Sequence, residues 1–314
     1  MFSARTAFIV NPHAGGGSTG SVWHAVSVLA EKSLGPFSTS ITRHPGDATT
    51  ASLAAVRKGA RRIVAVGGDG TLNEVVNAFM TFDSSVREDL TLGVIPNGTG
   101  CDFVKSASIP MNAAAAIRLI REAPVRRIDV GKAVFSDQYH QRVTRYFLNI
   151  ASFGLGGEVA QMASRMPWKR SPLISFMLAT LISVLRYGKK RIRITTDHRI
   201  NGDWLVWNVA VSNGCFHGGG MNIAPDARFD DGLLHVTVVG ELSLAGIFLN
   251  FSKLYDGRIY QVDKVYSMTA THLEAASDEQ VLIEIDGEQP GTLPICIDII
   301  PGAINLIAPS GEAV

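Results

Sequence analysis

Asp69 stands inside Gly67-Gly68-Asp69-Gly70-Thr71-Leu72-Asn73-Glu74, the stretch of this chain best suited to chemistry. Successive glycines let backbone N–H groups approach phosphate oxygens that a Cβ would hold away. A carboxylate among them repels a phosphate, so Asp69 calls for a metal ion or a proton-transfer role. Two further loops are of the same kind: Asn11-Pro12-His13-Ala14-Gly15-Gly16-Gly17 and Asn97-Gly98-Thr99-Gly100. None contains the Gly-Lys-Ser/Thr of a nucleotide-binding P-loop. Charge neutralisation then falls to a divalent metal and to helix N-termini. Each loop taken singly could equally be a plain turn. Asp230-Asp231-Gly232 and Asp286-Gly287-Glu288 carry the Asp-Gly pair, which by itself signals a tight turn.

These loops need strands before them and helices after them. Arg61 to Val66, a β-branched apolar run after two polar residues, reads as a buried strand. Leu72, Val75, Val76, Phe79 and Met80 then follow at helical spacing. Thr6–Val10, Ser38–Thr42 and Leu90–Ile95 read as further strands, alternating with helices over Ser21–Lys32, Ala48–Gly59 and Met111–Glu122. This alternation predicts a parallel sheet with helices on both faces. Ligands of such sheets sit beyond the carboxyl ends of the strands, so the loops should share one cleft.

Beyond about residue 128 the pattern becomes β-rich. Arg145–Ile150, Arg191–Thr196, Asp203–Ser212, Leu234–Val239, Lys264–Ala270 and Val281–Ile285 read as strands, many of them separated by glycine-rich turns. An antiparallel second domain is expected. Ile295–Ile300 and Ile304–Ala308 read as two strands with Pro301-Gly302 as the turn between them.

The chain has 314 residues, 46% hydrophobic and 18% charged, with a formal net charge of +1. That balance gives no argument for nucleic acid as a partner. Cys101, Cys215 and Cys296 lie far apart, with no CxxC and no disulfide framework, which favours a reducing, cytoplasmic setting. The apolar run near Met1 is broken by Arg5 and Asn11-Pro12 and reads as a strand rather than a leader. Leu173–Leu185 is too short to span a bilayer.

Taken together, Asn11-Pro12…Gly15-Gly16, the Gly67–Glu74 loop and Gly98-Thr99-x-x-Asp102-Phe103 resemble the diacylglycerol kinase catalytic domain family. The likeness is to its bacterial soluble lipid kinase branch, which is related to sphingosine and ceramide kinases. It continues through Ile128-Asp129-Val130-Gly131, Asn149–Gly154 and Gly218-Gly219-Gly220-Met221-x-x-Ala224-Pro225-Asp226-Ala227-x-x-Asp230-Asp231-Gly232-Leu233-Leu234. It ends with Asp286-Gly287-Glu288. The resemblance implies an α/β N-terminal domain with a parallel sheet, of NAD kinase/diacylglycerol kinase-like fold, plus an antiparallel β-rich C-terminal domain. Residues 1–130, completed by 291–314, would bind nucleotide, and 131–290 would bind lipid.

It implies ATP as phosphate donor, contacted by Asn11, Thr42, Gly67, Gly68, Asp69, Gly70, Thr71, Leu72, Asn73 and Thr99. Glu288 is implied as proton acceptor, with Asp69 in the phosphoryl-transfer centre. A carboxylate suits this task because a lipid hydroxyl is a poor nucleophile at neutral pH. A Mg²⁺ site is implied at Arg228, Asp231 and Leu233, and Asp102 and Asp129 would join a metal–water–carboxylate network reaching toward Asp69. Cys101 stands where the family usually has Asn, and a thiol cannot copy an amide's hydrogen bonds.

The implied activity is transfer of the γ-phosphate to a lipid hydroxyl, foremost of a diacylglycerol-like acceptor presented at a membrane. Sphingoid base, ceramide and phosphatidylglycerol are alternative acceptors. NAD kinase, which shares a Gly-Gly-Asp-Gly-Thr loop, and a catalytically silent regulator are alternative functions. The segment Arg165–Arg193 carries basic residues at both ends, Lys169 and Arg170 before the apolar run, and Lys189, Lys190 and Arg191 after it. That arrangement suits peripheral membrane association. Being apolar almost all round, the run better fits burial in the second domain or in a homodimer contact.

Overall fold

Thr6–Val10 is buried at every position, as expected of a β-branched strand covered on both faces. It is the second strand of a parallel sheet in a computed structural model that describes residues 5–165, 172–197 and 201–310. The chain divides into two compact units, 1–129 with 302–314, and 130–301. Residues 291–301 thus belong to the second unit.

In the first unit the elements run β1 (Thr6–Val10), α1 (Ser18–Leu34), β2 (Ser38–Ile41), α2 (Asp47–Arg57), β3 (Arg62–Gly67), α3 (Asp69–Phe79), α4 (Ser84–Glu88), β4 (Thr91–Pro96), α5 (Asp102–Ser106) and α6 (Ala113–Glu122). Strands β2, β1, β3 and β4 pair in that order, all parallel. Phe8, Val10, Val64 and Val66 point to one face and pack with Ala116, Ile117 and Ile120 of α6 and Ala30 of α1. The alternate residues Ile9, Ile63 and Ala65 are equally buried, on the opposite face by the period of two.

The remaining elements belong to the second unit, except that β5 begins and β17 ends in the first: β5 (Val125–Asp137), β6 (Arg142–Phe147), β7 (Ile150–Gly154), α7 (Leu155–Arg165), α8 (Pro172–Arg186), β8 (Lys190–Thr196), β9 (Asn201–Val206), β10 (Asn208–Ser212), β11 (Phe216–His217) and β12 (Met221–Asn222). There follow β13 (Leu234–Val239), α9 (Leu244–Leu249), β14 (Val265–Ala270), β15 (His272–Ala276), β16 (Leu282–Ile285) and β17 (Glu288–Ile307). Strands β14, β13, β10, β7, β16 and β17 pair antiparallel in that order. Val209 and Val211 of β10 face one core with Phe153, Val236 and Ile283. Ala210 between them faces another, with Ile223, Ile259 and Val262.

Several expectations are corrected. Pro301-Gly302 is not a turn: β17 runs unbroken from Glu288 to Ile307, and Asn305 pairs with Thr91 of β4. Gly302 takes the left-handed conformation, φ +53°, inside the strand. Its N–H donates to Asp129 Oδ1 at 2.7 Å and its carbonyl accepts from Arg127 Nε and Nη2 at 3.0 and 2.9 Å. Side chains of β5 thus satisfy both backbone groups of a residue that would otherwise mark a reversal.

The single strand expected over Asp203–Ser212 breaks at Trp207, whose indole N–H reaches Leu242 O at 2.9 Å. The one expected over Arg145–Ile150 breaks at Leu148-Asn149. Strands β5 and β15 were not anticipated. α8 is buried along one stripe only: Ala179, Ser183 and Val184 are buried, whereas Leu178, Leu181 and Leu185 are exposed. Burial all round therefore does not hold for its described side chains. Lys169 and Arg170 lie outside the described residues.

Candidate active site

Three loops lie side by side at the carboxyl ends of β1, β3 and β4, because the parallel ladder continues one residue beyond β1 and β4. Asn11 N–H donates to Val66 O at 3.0 Å, and Asn97 N–H to Gly67 O at 2.8 Å. Thr42, after β2, joins the same end through its N–H to Val10 O at 2.9 Å. The Asn11 amide then bridges two loops, donating from Nδ2 to Thr71 Oγ1 at 3.1 Å and accepting from His13 N–H at 3.0 Å. Asn97 Nδ2 donates to Thr19 Oγ1 at 2.9 Å at the start of α1. Gly15, Gly16 and Gly17 all have positive φ, and no atom lies within 4 Å of where a Cβ on Gly16, Gly17 or Gly70 would stand. These backbones border open space at the N-termini of α1 and α3, the setting that binds anions.

Asp69 opens α3 and accepts the N–H groups of Asp102 at 3.2 Å and Phe103 at 3.3 Å, the first residues of α5. It therefore ties α5 to the glycine loop. Burial pushes its carboxyl above the usual range, and the charge of Asp102 adds to the shift. Asp102, itself buried, pairs with Lys105 Nζ at 2.9 Å. Both carboxylates flank Gly100, where a Cβ would stand 3.3 Å from Asp69 Oδ2 and 3.5 Å from Asp102 Oδ2. Asp129 holds the Gly302 N–H, as described above.

Other expected nucleotide contacts differ in what they can offer. Leu72 and Thr71 are buried, so Leu72 has only backbone to present, whereas Thr99 is exposed. Asn73 is half-buried and accepts from Asn77 Nδ2 at 2.9 Å. Glu74 ends the motif in a structural role: its carboxylate accepts N–H groups of Gly46 and Ala48, both at 2.9 Å, and fixes the start of α2.

The remaining predicted residues belong to the second unit. Asp231 Oδ1 accepts the Leu233 N–H at 3.0 Å, and Oδ2 lies 3.0 Å from His235 Nε2. Arg228 Nε sits 3.6 Å from Asp230 Oδ1. Asp286 and Gly287 have φ of +45° and +91°, and Ile285 pairs with Glu288. That is a two-residue hairpin loop with both central residues left-handed, as Asp-Gly favours. The Asp286 carboxylate accepts three N–H groups, from Leu148, Asn149 and Ile150, at 3.0–3.1 Å. Glu288 is exposed and paired with Arg145 Nη1 at 2.6 Å.

Sequence reasoning missed Glu284, Ser152, His217 and Arg145. The signal for Glu284 was legible: one acid inside the apolar strand Leu282–Ile285. It is 1% exposed. One of its oxygens accepts from Ser152 Oγ at 2.7 Å and the other from Gly287 N–H at 2.5 Å, while His217 Nε2 lies 3.9 Å away. Ser152 and His217 line a cavity of ≈150 Å³ whose other walls are mainly apolar, among them Val159, Val184, Ala210, Ile223, Ile247 and Leu254. Glu284 thus links that cavity to the Asp286-Gly287-Glu288 turn.

The chain is similar to known proteins over nearly its whole length. Residues 5–133 match the diacylglycerol kinase catalytic domain, and residues 149–308 match the YegS C-terminal NAD kinase beta sandwich-like domain. A Chromohalobacter salexigens protein named "Probable lipid kinase YegS-like" is 30% identical over 87% of this chain and 84% of its own. A Staphylococcus saprophyticus protein named "Diacylglycerol kinase" is 28% identical over 92% of this chain and 90% of its own. A solved Bacillus anthracis structure, provisionally assigned as a diacylglycerol kinase, superposes with a TM-score of 0.80 at 26% identity. It covers 100% of this chain and 98% of that one.

Proposed function

Because the chain belongs to the diacylglycerol kinase catalytic domain family, we propose that it is an ATP-dependent lipid kinase, phosphorylating a diacylglycerol-like alcohol. The observation that carries this reading is the apolar cavity of the second unit, joined through Ser152 and Glu284 to the turn bearing Glu288. Neither NAD nor another soluble alcohol calls for such a cavity, whereas a hydrocarbon chain does.

The glycine loops after β1, β3 and β4 hold the phosphates through backbone N–H groups and helix N-termini. Asp69 positions α5 beside them. Glu288 takes the proton of the lipid hydroxyl, and Arg145 orients its carboxylate. The residues at Arg228, Asp231 and Leu233 fit a hard divalent cation, since the Asp231 carboxylate is already oriented by His235 and the Leu233 N–H. Mg²⁺ held by that carboxylate and the carbonyls of Arg228 and Leu233 would supply a fixed positive centre, distinct from the Mg²⁺ that accompanies ATP.

The cavity walls also face outward in a way that suits a bilayer. Thr180 and Val184 of α8 line the cavity, while Leu178, Leu181 and Leu185 are exposed. Ile247 of α9 lines it too, while Phe248 and Leu249 are exposed, Leu249 at 82%. Arg186, Lys189 and Lys253 lie in the same segments, where cations favour anionic headgroups. No described helix is long and apolar enough to cross a membrane.

The test is incubation with labelled ATP and a total lipid extract, with mass spectrometry of the product. A phosphorylated lipid alcohol is expected. Leu254→Trp, which fills the cavity, should reduce kcat/KM for a long-chain acceptor by roughly tenfold or more while sparing a short-chain soluble analogue. Label appearing in NAD, or ATP binding with no labelled lipid, overturns the reading.

A further inference from the structure

His272, Glu274, Cys296 and Asp298 occupy one face of the β15–β17 ladder. The antiparallel register sets His272 opposite Asp298 and Glu274 opposite Cys296. Leu273 and Ile297, between them, point the other way and are fully buried in the core. Four side chains with N, S and O donors therefore form two adjacent cross-strand pairs on the outer face, where opposed Cβ atoms stand about 4.5–5.5 Å apart.

The donors converge as well as share a face. One ligand atom each of His272, Cys296 and Asp298 lie within 4.8 Å of one another. His272 Nδ1 is hydrogen-bonded to Asp298 Oδ1 at 2.7 Å, and Nε2 lies 3.6 Å from Glu274 Oε1. Donors around a tetrahedral zinc ion are roughly 3.3–3.8 Å apart, given bonds of about 2.0 Å to nitrogen and oxygen and 2.3 Å to sulfur. The three donors are thus within a small closure of that geometry, and Glu274 beside Nε2 stands where an outer carboxylate orients a histidine that binds metal through its other nitrogen.

We propose that His272, Cys296 and Asp298, with solvent completing the shell, bind a borderline divalent transition metal of the Zn²⁺ class and clip β15 to β17. Imidazole with thiolate selects such ions over Mg²⁺ or Ca²⁺, which prefer oxygen alone. Charge permits it: one thiolate and one carboxylate balance a divalent ion, which itself supplies the positive charge that a half-buried thiolate needs. The site is separate from the proposed Mg²⁺ site at Asp231 and independent of the kinase reading.

The experiment uses the full-length chain stripped with chelator and titrated with Co²⁺. One equivalent should bind and give a thiolate-to-Co²⁺ charge-transfer band. Cys296→Ser should abolish the band, and His272→Gln should weaken binding tenfold or more. Asp231→Asn should leave both unchanged. A second measurement needs no variant: Zn²⁺ should slow alkylation of Cys296, read by mass spectrometry, several-fold, whereas Mg²⁺ should not. A Co²⁺ complex without the band, a band that survives Cys296→Ser, or alkylation indifferent to Zn²⁺ each overturns the proposal.

Discussion

Gly68 and Gly98 touch backbone to backbone: a Cβ on Gly98 would stand 2.5 Å from Gly68 Cα. Two of the glycine loops are thereby locked together by the absence of side chains. Gly98→Ala should cost about 1–3 kcal/mol, because backbone must move to admit the methyl group. Gly70 offers the contrast, since nothing lies within 4 Å of its would-be Cβ and it sits inside α3. Gly70→Ala should raise stability by up to about 1 kcal/mol. It should nonetheless weaken ATP binding, because the new methyl enters the space assigned to phosphate. Urea denaturation and nucleotide titration of both variants would check this, and undiminished ATP binding by Gly70→Ala would remove the loop from the phosphate site.

Asp69 makes stability depend on pH in a defined direction. Its carboxyl titrates above the ordinary value of 3.8 in the folded state, first through burial and then through the charge of Asp102. The native state therefore holds this proton longer than the unfolded chain does. Stability is lost as pH rises from the unfolded value through the folded one, and stays lost above it. Asp69→Asn removes that penalty and keeps one of the two acceptor oxygens. The unfolding midpoint of the variant minus that of wild type should grow with pH across this window and then level off, while lipid phosphorylation disappears. A difference that shrinks with rising pH, or near-normal turnover, would contradict the assignment.

Cys101 has φ +49° and is fully buried, its Sγ accepting the Gly98 N–H at 3.2 Å. Left-handed backbone disfavours most side chains but is tolerated by Asn, the residue usual in the family at this position. An Asn oxygen could accept the same N–H. Cys101→Asn should therefore stabilise the chain by about 1 kcal/mol and retain turnover. Burial, with Asp69 adding, pushes the thiol up to about 11. Roughly one part in a thousand is then thiolate at pH 8, so native Cys101 should resist alkylation that labels it readily after unfolding.

The turn at Asp286 separates structure from chemistry within three residues. Asp286→Ala removes the acceptor of three buried N–H groups and should cost about 2–4 kcal/mol. Glu288→Gln touches only the exposed pair with Arg145, a contact worth under about 1 kcal/mol. It should leave the unfolding midpoint within about 2 °C and abolish phosphate transfer. Full activity of the Gln variant would exclude Glu288 as the proton acceptor.

Legibility in the sequence followed how local the determining forces were. Leu234–Val239 and Thr6–Val10 were read to the residue because apolar β-branched runs with turns at each end leave few choices. The Gly67–Leu72 junction was likewise legible, since strand, glycines and helix are contiguous. Pro301-Gly302 was misread because its usual meaning is overridden by Arg127 and Asp129, over 170 residues away in sequence. The cavity escaped for the same reason: Ser152, His217 and Glu284 come from separate strands, and only tertiary structure shows that Glu284 serves both cavity and turn.

The unbroken strand β17 has a consequence during synthesis. Its last residues close the first unit's sheet against β4, yet the ribosome makes them after residues 130–301, the whole of the second unit. At about 5–20 residues per second, the first unit waits roughly 9–34 s for its final strand. Throughout that interval β4 is an open edge with unpaired N–H and C=O groups. The nascent kinase therefore passes through a stage in which its first unit is translated but sticky, and in which chaperone capture or mispairing competes with the arrival of its own C-terminus.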